Sequence, residues 1–402
     1  MIVRRFLLWA RSAPPGDRAE AIGALARAYL YSGLSPDDRW EAETALTAML
    51  EDRSALVRRA MAENLATSPD APRHVIVALA SDQIDVASIV LAASPVLLDC
   101  DLVDAAALGD ERVQCAIAAR PWLSHSLSAA LAEVGTPTAV ATLARNPGAD
   151  ITHATLSRMV ERFGEVADVR EALIGRPDLP VDIAQAIAAA LARTLESFVA
   201  GCGWLSAERS GRIVREARDR TTVALSARSG DEIGRLVSHL RRSGQLTPAL
   251  MLRALLSREI AFVEAAFADL AQLRPARVCA ILADRRGQGF RALYARAGLP
   301  AGLRPAFEAA LAAFAEGAGE DVSGAQLSRR MIQRALSACE SLPEEEAGRL
   351  LALLRRFEVE AALDEARGIA DGLADEAALA IVLEHHPDAL RLLAPSSRAL
   401  AA

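Results

Sequence analysis

The sequence predicts an all-α protein, a right-handed α-solenoid (superhelix) of stacked helical hairpins. The main observation is a proline that recurs at intervals of 26, 26, 26 and 30 residues, at Pro69, Pro95, Pro121, Pro147 and Pro177. Each proline follows a segment with apolar residues four positions apart, which lie on one face of a helix. A single short helix cannot bury such a face, so neighbouring units are expected to cover it by stacking.

Two positions, counted back from each proline, define the predicted apolar face. Position minus 4 holds Leu65, Leu91, Ile117, Leu143 and Leu173, and position minus 8 holds Met61, Ala87, Val113, Ala139 and Val169. The proline ring excludes the preceding residue from the α region, so the first helix of each unit should end there. These preceding residues are Ser68, Ser94, Arg120, Asn146 and Arg176. A second helix should follow the proline, with Asp99, Ser124 and Asp150 as predicted N-caps.

The same signals divide the chain into three parts. Residues 1–50 are predicted to form an N-terminal helical cap, whose third helix begins with Ser35 as N-cap, Pro36 and an acid at Asp38. Residues 51–195 are predicted to form the short repeats of about 26 residues. The glycines around residues 201–204 interrupt this pattern, and residues 196–402 are predicted to form a C-terminal domain of degenerate helical repeats.

Residues 52–65 (DRSALVRRAMAENL) resemble the second helix of a HEAT repeat, and residues 110–117 (DERVQCAI) resemble it more weakly. The short period and the recurring x-Pro also resemble leucine-rich-repeat-variant arrays. With the opening MIVRRFLLWARS and the later segments FVEAAFADLA and FRALYARAGLP, the chain resembles an uncharacterised alphaproteobacterial family of HEAT-like helical proteins, a domain of unknown function. The resemblance implies HEAT-like helical hairpins over nearly all 402 residues and brings no catalytic residues with it.

Composition excludes several enzyme classes. The chain has no lysine, because all 45 basic residues are arginine, so Schiff-base, P-loop and kinase-type lysine chemistry is excluded. The six histidines lack metal-ligand spacing, and no catalytic, cofactor or metal site is predicted. Five cysteines without a C-x-x-C motif are predicted to be reduced core residues: Cys100, Cys115, Cys202, Cys279 and Cys339.

Charge is distributed unevenly along the chain. The formal net charge is −7, and residues 1–200 hold 18 Arg against 26 acids, whereas residues 201–402 hold 27 Arg against 26 acids. An acidic array is a poor cradle for duplex nucleic acid, so a protein or peptide partner of basic character is expected. Asp82, Asp85 and Asp110 are predicted as the partner-binding face. No stretch is expected to be long and apolar enough to span a membrane, and the protein is predicted to be cytoplasmic.

One segment of the acidic protein is basic. Seven arginines and a single acid lie between Arg274 and Arg304. Here a candidate anion site is formed by two glycines that let the backbone approach a phosphate, three charged side chains and an aromatic face. Its residues are Arg285, Arg286, Gly287, Gly289, Arg291 and Tyr294. An ordinary turn between helices explains the glycines as well, and both interpretations stay open.

Three functions follow from these observations. The leading hypothesis is a noncatalytic protein–protein interaction scaffold or adaptor, because stacked helical pairs offer a long surface and no catalytic group is evident. The alternative is a regulatory sensor that binds a nucleotide or phosphate ligand through residues 274–304. The third is a HEAT-like nucleic-acid-binding protein or DNA glycosylase, which the acidic repeats and the lack of a clustered Trp, Asp and Arg arrangement disfavour.

Overall fold

The computed structural model describes residues 2–202, 206–284, 288–317 and 324–340, and, near the C-terminus, residues 348, 350–363, 365–367 and 370. Within these ranges all regular secondary structure is helical, and β-pairing is limited to an isolated parallel bridge between Leu123 and Ala149. The all-α prediction is therefore confirmed. The chain divides into two compact units, Met1–Arg215 (unit 1) and Glu216–Ala402 (unit 2). The predicted limits at residues 50 and 195 remain a prediction.

Unit 1 consists of short helices joined by tight connections. They are α1 Ile2–Ala10, α2 Pro15–Tyr31, α3 Pro36–Ala48, α4 Ala55–Leu65, α5 Arg73–Ala80, α6 Ile84–Ala93, α7 Asp99–Leu108, α8 Glu111–Ala118, α9 His125–Val134, α10 Pro137–Arg145, α11 His153–Phe163, α12 Ala167–Ile174 and α13 Val181–Gly201. A 3-10 turn, Met49–Glu51, follows α3, and the limit between the units falls within α14, Ala207–Ser226.

Two series of alternate helices in unit 1 pack in succession. The helices α2, α4, α6, α8, α10 and α12 contact one another in succession, and α7, α9, α11 and α13 do the same. The predicted apolar stripe faces the core: all five residues at position minus 4 are buried, and at position minus 8 only Val113 is partly exposed. One continuous apolar cluster extends from Ala10 to Ile187.

Within unit 1, polar side chains also link alternate helices. The guanidinium of Arg120 donates to the backbone carbonyls of Leu91 and Ser94 (2.6 and 2.7 Å). At the position 26 residues after Arg120, Nδ2 of Asn146 donates to the carbonyls of Ala118 and Arg120 (2.8 and 2.7 Å). These carbonyls lie at the ends of helices, where the backbone has no intrahelical partner. Arg120 and Asn146, each of which precedes a proline, therefore cap the ends of α6 and α8.

The helix starts were predicted in part. Ser35 accepts a hydrogen bond from the N–H of Asp38, and Ser124 accepts one from the N–H of Leu127, so both predicted caps are confirmed. Asp99 is wrong as an N-cap, because it is already the first residue of α7. Asp150 is also wrong, because Thr152 caps α11. At α7 the carboxylate of Asp101 accepts from the N–H of Leu98, and at α11 the hydroxyl of Thr152 accepts from the N–H of Thr155, so a nearby side chain shifts each helix start by one or two residues.

Unit 2 contains α15 Ile233–Arg242, α16 Pro248–Leu256, α17 Ile260–Ala271, α18 Pro275–Leu282, α19 Gln288–Arg296, α20 Arg304–Gly317 and α21 Gly324–Cys339. Residues 350–363 are helical too. Its core holds an aromatic cluster, in which Phe267 meets Phe290 at 5.7 Å between ring centroids and Tyr294 meets Phe307 at 5.5 Å. Such edge-to-face contacts favour a fixed packing.

Two sequence expectations are corrected. Among the described helices, α13 is long and apolar enough to cross a membrane by length and composition, so a stretch of that kind does exist. Its first half contributes the buried Ile183 and Ile187 to the core of unit 1. The cysteines are free, but only Cys339 is buried, whereas Cys100 and Cys279 are exposed. Both expectations relied on local apolar context, which does not determine burial.

Candidate partner-binding groove

A groove of about 470 Å³ lies on unit 1 between α5 and α7 (the α5–α7 groove). It opens there because α5 packs mainly against α6. The residues that line it are Val77, Ala80, Ser81, Asp82, Ala87, Leu97, Asp101, Asp104, Ala105, Leu108, Gly109 and Val113. Among the described residues, the lining combines apolar side chains with three aspartates and includes no basic residue.

The α7 wall of the groove carries its accessible groups. Asp101 is held in place, since it accepts from Arg73 and from the N–H of Leu98, each at 2.8 Å. Asp104 is exposed and has no hydrogen bond or ion pair among the described residues. Leu108, four positions later on the same helix face, is 90% exposed. The groove therefore presents one free carboxylate beside an uncovered apolar side chain.

The opposite end of the groove is neutralised. Nε and Nη2 of Arg58 donate to the carboxylate of Asp82 (2.5 and 2.8 Å), and the N–H of Gln83 donates to it as well (2.7 Å). These bonds outweigh burial and lower the pKa of Asp82. Arg58 also donates to the backbone carbonyl of Asp52. Asp82 thus serves mainly to join α4 to the start of α6.

Asp52 joins helices in the same way earlier in the chain, linking α2 to the start of α4. Its carboxylate accepts from Nε and Nη2 of Arg18, both at 2.8 Å. Burial alone would raise the pKa of Asp52, but the hydrogen bonds from Arg18 and the Ser54 N–H, with the nearby guanidinium charges, lower it. Two ion pairs, Arg18–Asp52 and Arg58–Asp82, are thus linked in unit 1 by the hydrogen bond from Arg58 to the backbone carbonyl of Asp52.

The predicted acidic face is only partly assembled. Asp82 lines the groove, but Asp85 and Asp110 do not belong to its lining. Asp85 pairs with Arg112 at 2.8 Å, and Asp110 caps α8 by accepting from the N–H of Val113 at 3.0 Å. Sequence reasoning missed Asp104 and Leu108. Their four-residue separation on a helix was visible, but the gap beside α5 was not.

The predicted anion site lies on unit 2, and part of it, Arg285, Arg286 and Gly287, lies outside the described residues. Gly289 is the second residue of α19, where an added Cβ would meet Ile281 at an ordinary 3.4 Å. Arg291 contacts Glu308 at 3.3 Å. The site as a whole remains a prediction.

The stacking role of Tyr294 needs correction. Its ring is 2% exposed and lies in the aromatic cluster, and its hydroxyl donates to the carbonyl of Pro300 at 2.8 Å. Burial raises the pKa of Tyr294 to about 12. A covered ring offers no face to a ligand. The correction was not visible locally, because the covering residues Phe267 and Phe307 are distant in sequence.

Two histidines of unit 1 contact acidic residues on other segments of the same unit. Nε2 of His153 lies 2.7 Å from the buried carboxylate of Asp182, which joins α11 to α13. Nδ1 of His125 lies 3.9 Å from Asp150. Within the described part of the chain, no group of three or more His, Cys, Asp or Glu is arranged to hold a metal ion.

Comparison with known proteins gives one match. The model of a bacterial family described as an uncharacterised protein conserved in bacteria (DUF2336) matches residues 86–352, about two thirds of the chain. No curated protein and no solved structure matches it. The matched range includes the α7 wall of the groove and α8 to α21.

Proposed function

The chain belongs to this bacterial family, DUF2336, and we propose that it is a noncatalytic scaffold or adaptor that holds a basic protein or peptide segment in the α5–α7 groove. The observation that carries the proposal is the pair formed by Asp104 and Leu108. A free carboxylate next to a 90% exposed leucine suits a partner that brings one cationic and one apolar side chain.

Charge supports a basic partner. Arg58 and Arg73 neutralise Asp82 and Asp101, so Asp104 supplies the net negative charge of the groove. The excess of acids over arginines in residues 1–200 extends this field beyond the groove. Such a field accelerates encounter with a basic partner and is screened by salt. Binding should therefore be faster and tighter at low ionic strength.

The architecture of unit 1 is proposed to be a HEAT-like, right-handed α-solenoid. The succession of contacts from α2 to α12 and from α7 to α13, with the hydrogen bonds from Arg120 and Asn146 to the ends of α6 and α8, supports a repeating stack. A stack of this kind gives a partner a long surface with distinct residues at each step. The protein is proposed to act in the cytoplasm.

Affinity capture with chemical crosslinking from a bacterial host of this family tests the function. We expect the intact chain to capture a stoichiometric protein, and Asp104→Asn with Leu108→Ser to lose it. Asp70→Asn is the matched control, because Asp70 is exposed, lies outside the groove lining and undergoes the same charge change. Equal capture by the Asp104 and Leu108 double variant would contradict the proposal.

A further inference from the structure

Unit 2 contains a cavity of about 260 Å³ that the groove proposal does not use. Its lining combines two arginines, one glutamate, two serines and an apolar floor. These residues are Arg253, Leu256, Ser257, Arg258, Ala325, Ser328, Ile332, Phe357, Glu360 and Ala361. The size suits a small metabolite, since drug-sized pockets begin at about 300 Å³. We call it the Arg258 cavity.

Arg253 is a fixed cation in its wall. The residue is 6% exposed, and its Nη1 donates to Glu360 at 2.6 Å. Its guanidinium lies over the ring of Phe357 at 4.4 Å from the centroid. Glu360 and Phe357 hold the guanidinium in one orientation, so its position in the cavity wall is fixed before any ligand binds. A ligand would not have to order it.

Arg258 is a cation without a counterion. Its guanidinium makes no hydrogen bond or ion pair with any residue in the described ranges. The charge of Arg258 acts on the carboxyl group of Glu259, next in sequence, but the two form no ion pair. Its backbone is left-handed (φ 68°), which turns the chain sharply after α16. The guanidinium rests against Gly324, the first residue of α21, where an added Cβ would overlap it.

The hydroxyls of the cavity are also available. Ser257 follows α16 and Ser328 lies in the second turn of α21, and neither side chain is hydrogen-bonded within the described part of the chain. The two arginines outnumber Glu360, so the cavity lining carries a net positive charge. Guanidinium and hydroxyl donors together match the acceptor atoms of an oxyanion.

We propose that the Arg258 cavity binds a small organic oxyanion, a carboxylate or phosphate monoester with a short apolar part. The oxyanion accepts from Arg258, Ser257 and Ser328, while Arg253 strengthens the local field. The apolar part contacts Leu256, Ile332 and Phe357, which are buried side chains of the cavity wall. This site belongs to unit 2, whereas the α5–α7 groove belongs to unit 1, and it gives the scaffold a ligand-binding function of its own.

Calorimetric titration of the full chain tests the site. The probes are butyrate, n-butyl phosphate and inorganic phosphate, each at ionic strength matched with sodium chloride. We expect butyrate or n-butyl phosphate to bind the wild type and to raise its melting temperature. The tighter of the two identifies the carboxylate or the phosphate source, and inorganic phosphate alone should bind more weakly because it lacks the apolar part.

Two variants make the test independent of folding. Arg258→Gly removes the guanidinium and relieves the left-handed backbone, so the protein should fold and the Kd should rise at least tenfold. Gly324→Ala should displace the guanidinium without removing its charge and raise the Kd as well. Arg242→Ala, at an exposed arginine of unit 2 outside the lining, should leave the Kd unchanged.

Three results would overturn the proposal. They are the absence of binding by every probe, an unchanged Kd in Arg258→Gly, and an equal loss of affinity in Arg258→Gly and Arg242→Ala. The last result would mean that the anions respond to the general charge of unit 2 and not to this cavity.

Discussion

Asn146 donates a hydrogen bond from its side-chain amide to the backbone carbonyl of Arg120, 26 residues earlier, at 2.7 Å. The spacing equals the interval between Pro121 and Pro147, so the contact joins the two residues that precede these prolines. Arg120 makes the same kind of contact with Ser94, also 26 residues earlier. Each of the two residues thus caps the unit before it.

Replacing Asn146 with Asp tests this link. The change removes both Nδ2 hydrogen bonds and turns a carboxylate towards the carbonyls of Ala118 and Arg120. Leaving such acceptors unpaired costs about 1–3 kcal/mol of unfolding free energy, which urea denaturation measures. Asn64→Asp is the comparison and should cost less, because Nδ2 of Asn64 donates only to the Ala60 carbonyl within α4, and the oxygen that accepts from Arg27 is kept. Equal losses would show that the link between units contributes nothing special.

Gly148 is required by a close backbone approach. An added Cβ would collide with the carbonyl oxygen of Pro121, next to the bridge between Leu123 and Ala149. Gly148→Ala should therefore lower stability by about 1–3 kcal/mol, because the backbone must shift. Gly16→Ala is the matched control, since nothing lies within 4 Å of its added Cβ, and it should be neutral or stabilising. Similar melting temperatures for both variants would contradict the packing described.

Acid should weaken unit 1 through Asp52 and Asp82. Their folded-state pKa values lie below the usual 3.8, so stability is complete above that value and falls as pH drops through the folded pKa. Asp82→Asn should cost about 1–2 kcal/mol at pH 7 and flatten this acid dependence. Urea unfolding between about pH 7 and pH 3 measures both effects. An unchanged pH slope in Asp82→Asn, with Asp70→Asn as control, would contradict the assignment.

Tyr294 should ionise only in strong base. Burial raises its pKa to about 12, whereas an unfolded tyrosine titrates near 10. The folded chain therefore retains the phenolic proton longer, and stability falls as pH rises above about 10. Ultraviolet titration of the phenolate should show a step near pH 12. Tyr294→Phe should remove that step, and its persistence in the variant would assign it to another tyrosine.

The sequence predicted what local periodicity determines. The buried Leu65, Leu91 and Leu143 followed from spacing alone, because residues four apart share a helix face. The roles of Arg120 and Asn146 did not, because they depend on the distance between units. Spacing places Arg120 at the end of its own helix, α8, yet its guanidinium caps the end of α6. Position within one helix cannot reveal which neighbouring carbonyl a long side chain reaches.

The candidate sites were harder to predict for the same reason. Asp82 looked like a free acid, but Arg58, 24 residues earlier, neutralises it. Asp104 and Leu108 became prominent only because α5 leaves space beside α7. Arg258 and Gly324 are separated by 66 positions, so no motif could have placed them together. Charge and glycine content were visible in the sequence, whereas pairing and burial required the fold.

Hydrogen–deuterium exchange of the full chain, with and without the captured partner, tests the binding proposal most directly. The account predicts slower exchange of backbone amides in Arg73–Ala80 and Asp99–Leu108 on binding, and loss of that protection in Asp104→Asn with Leu108→Ser. Protection elsewhere on the chain, with these two helices unchanged, would contradict the assignment of the α5–α7 groove as the partner site.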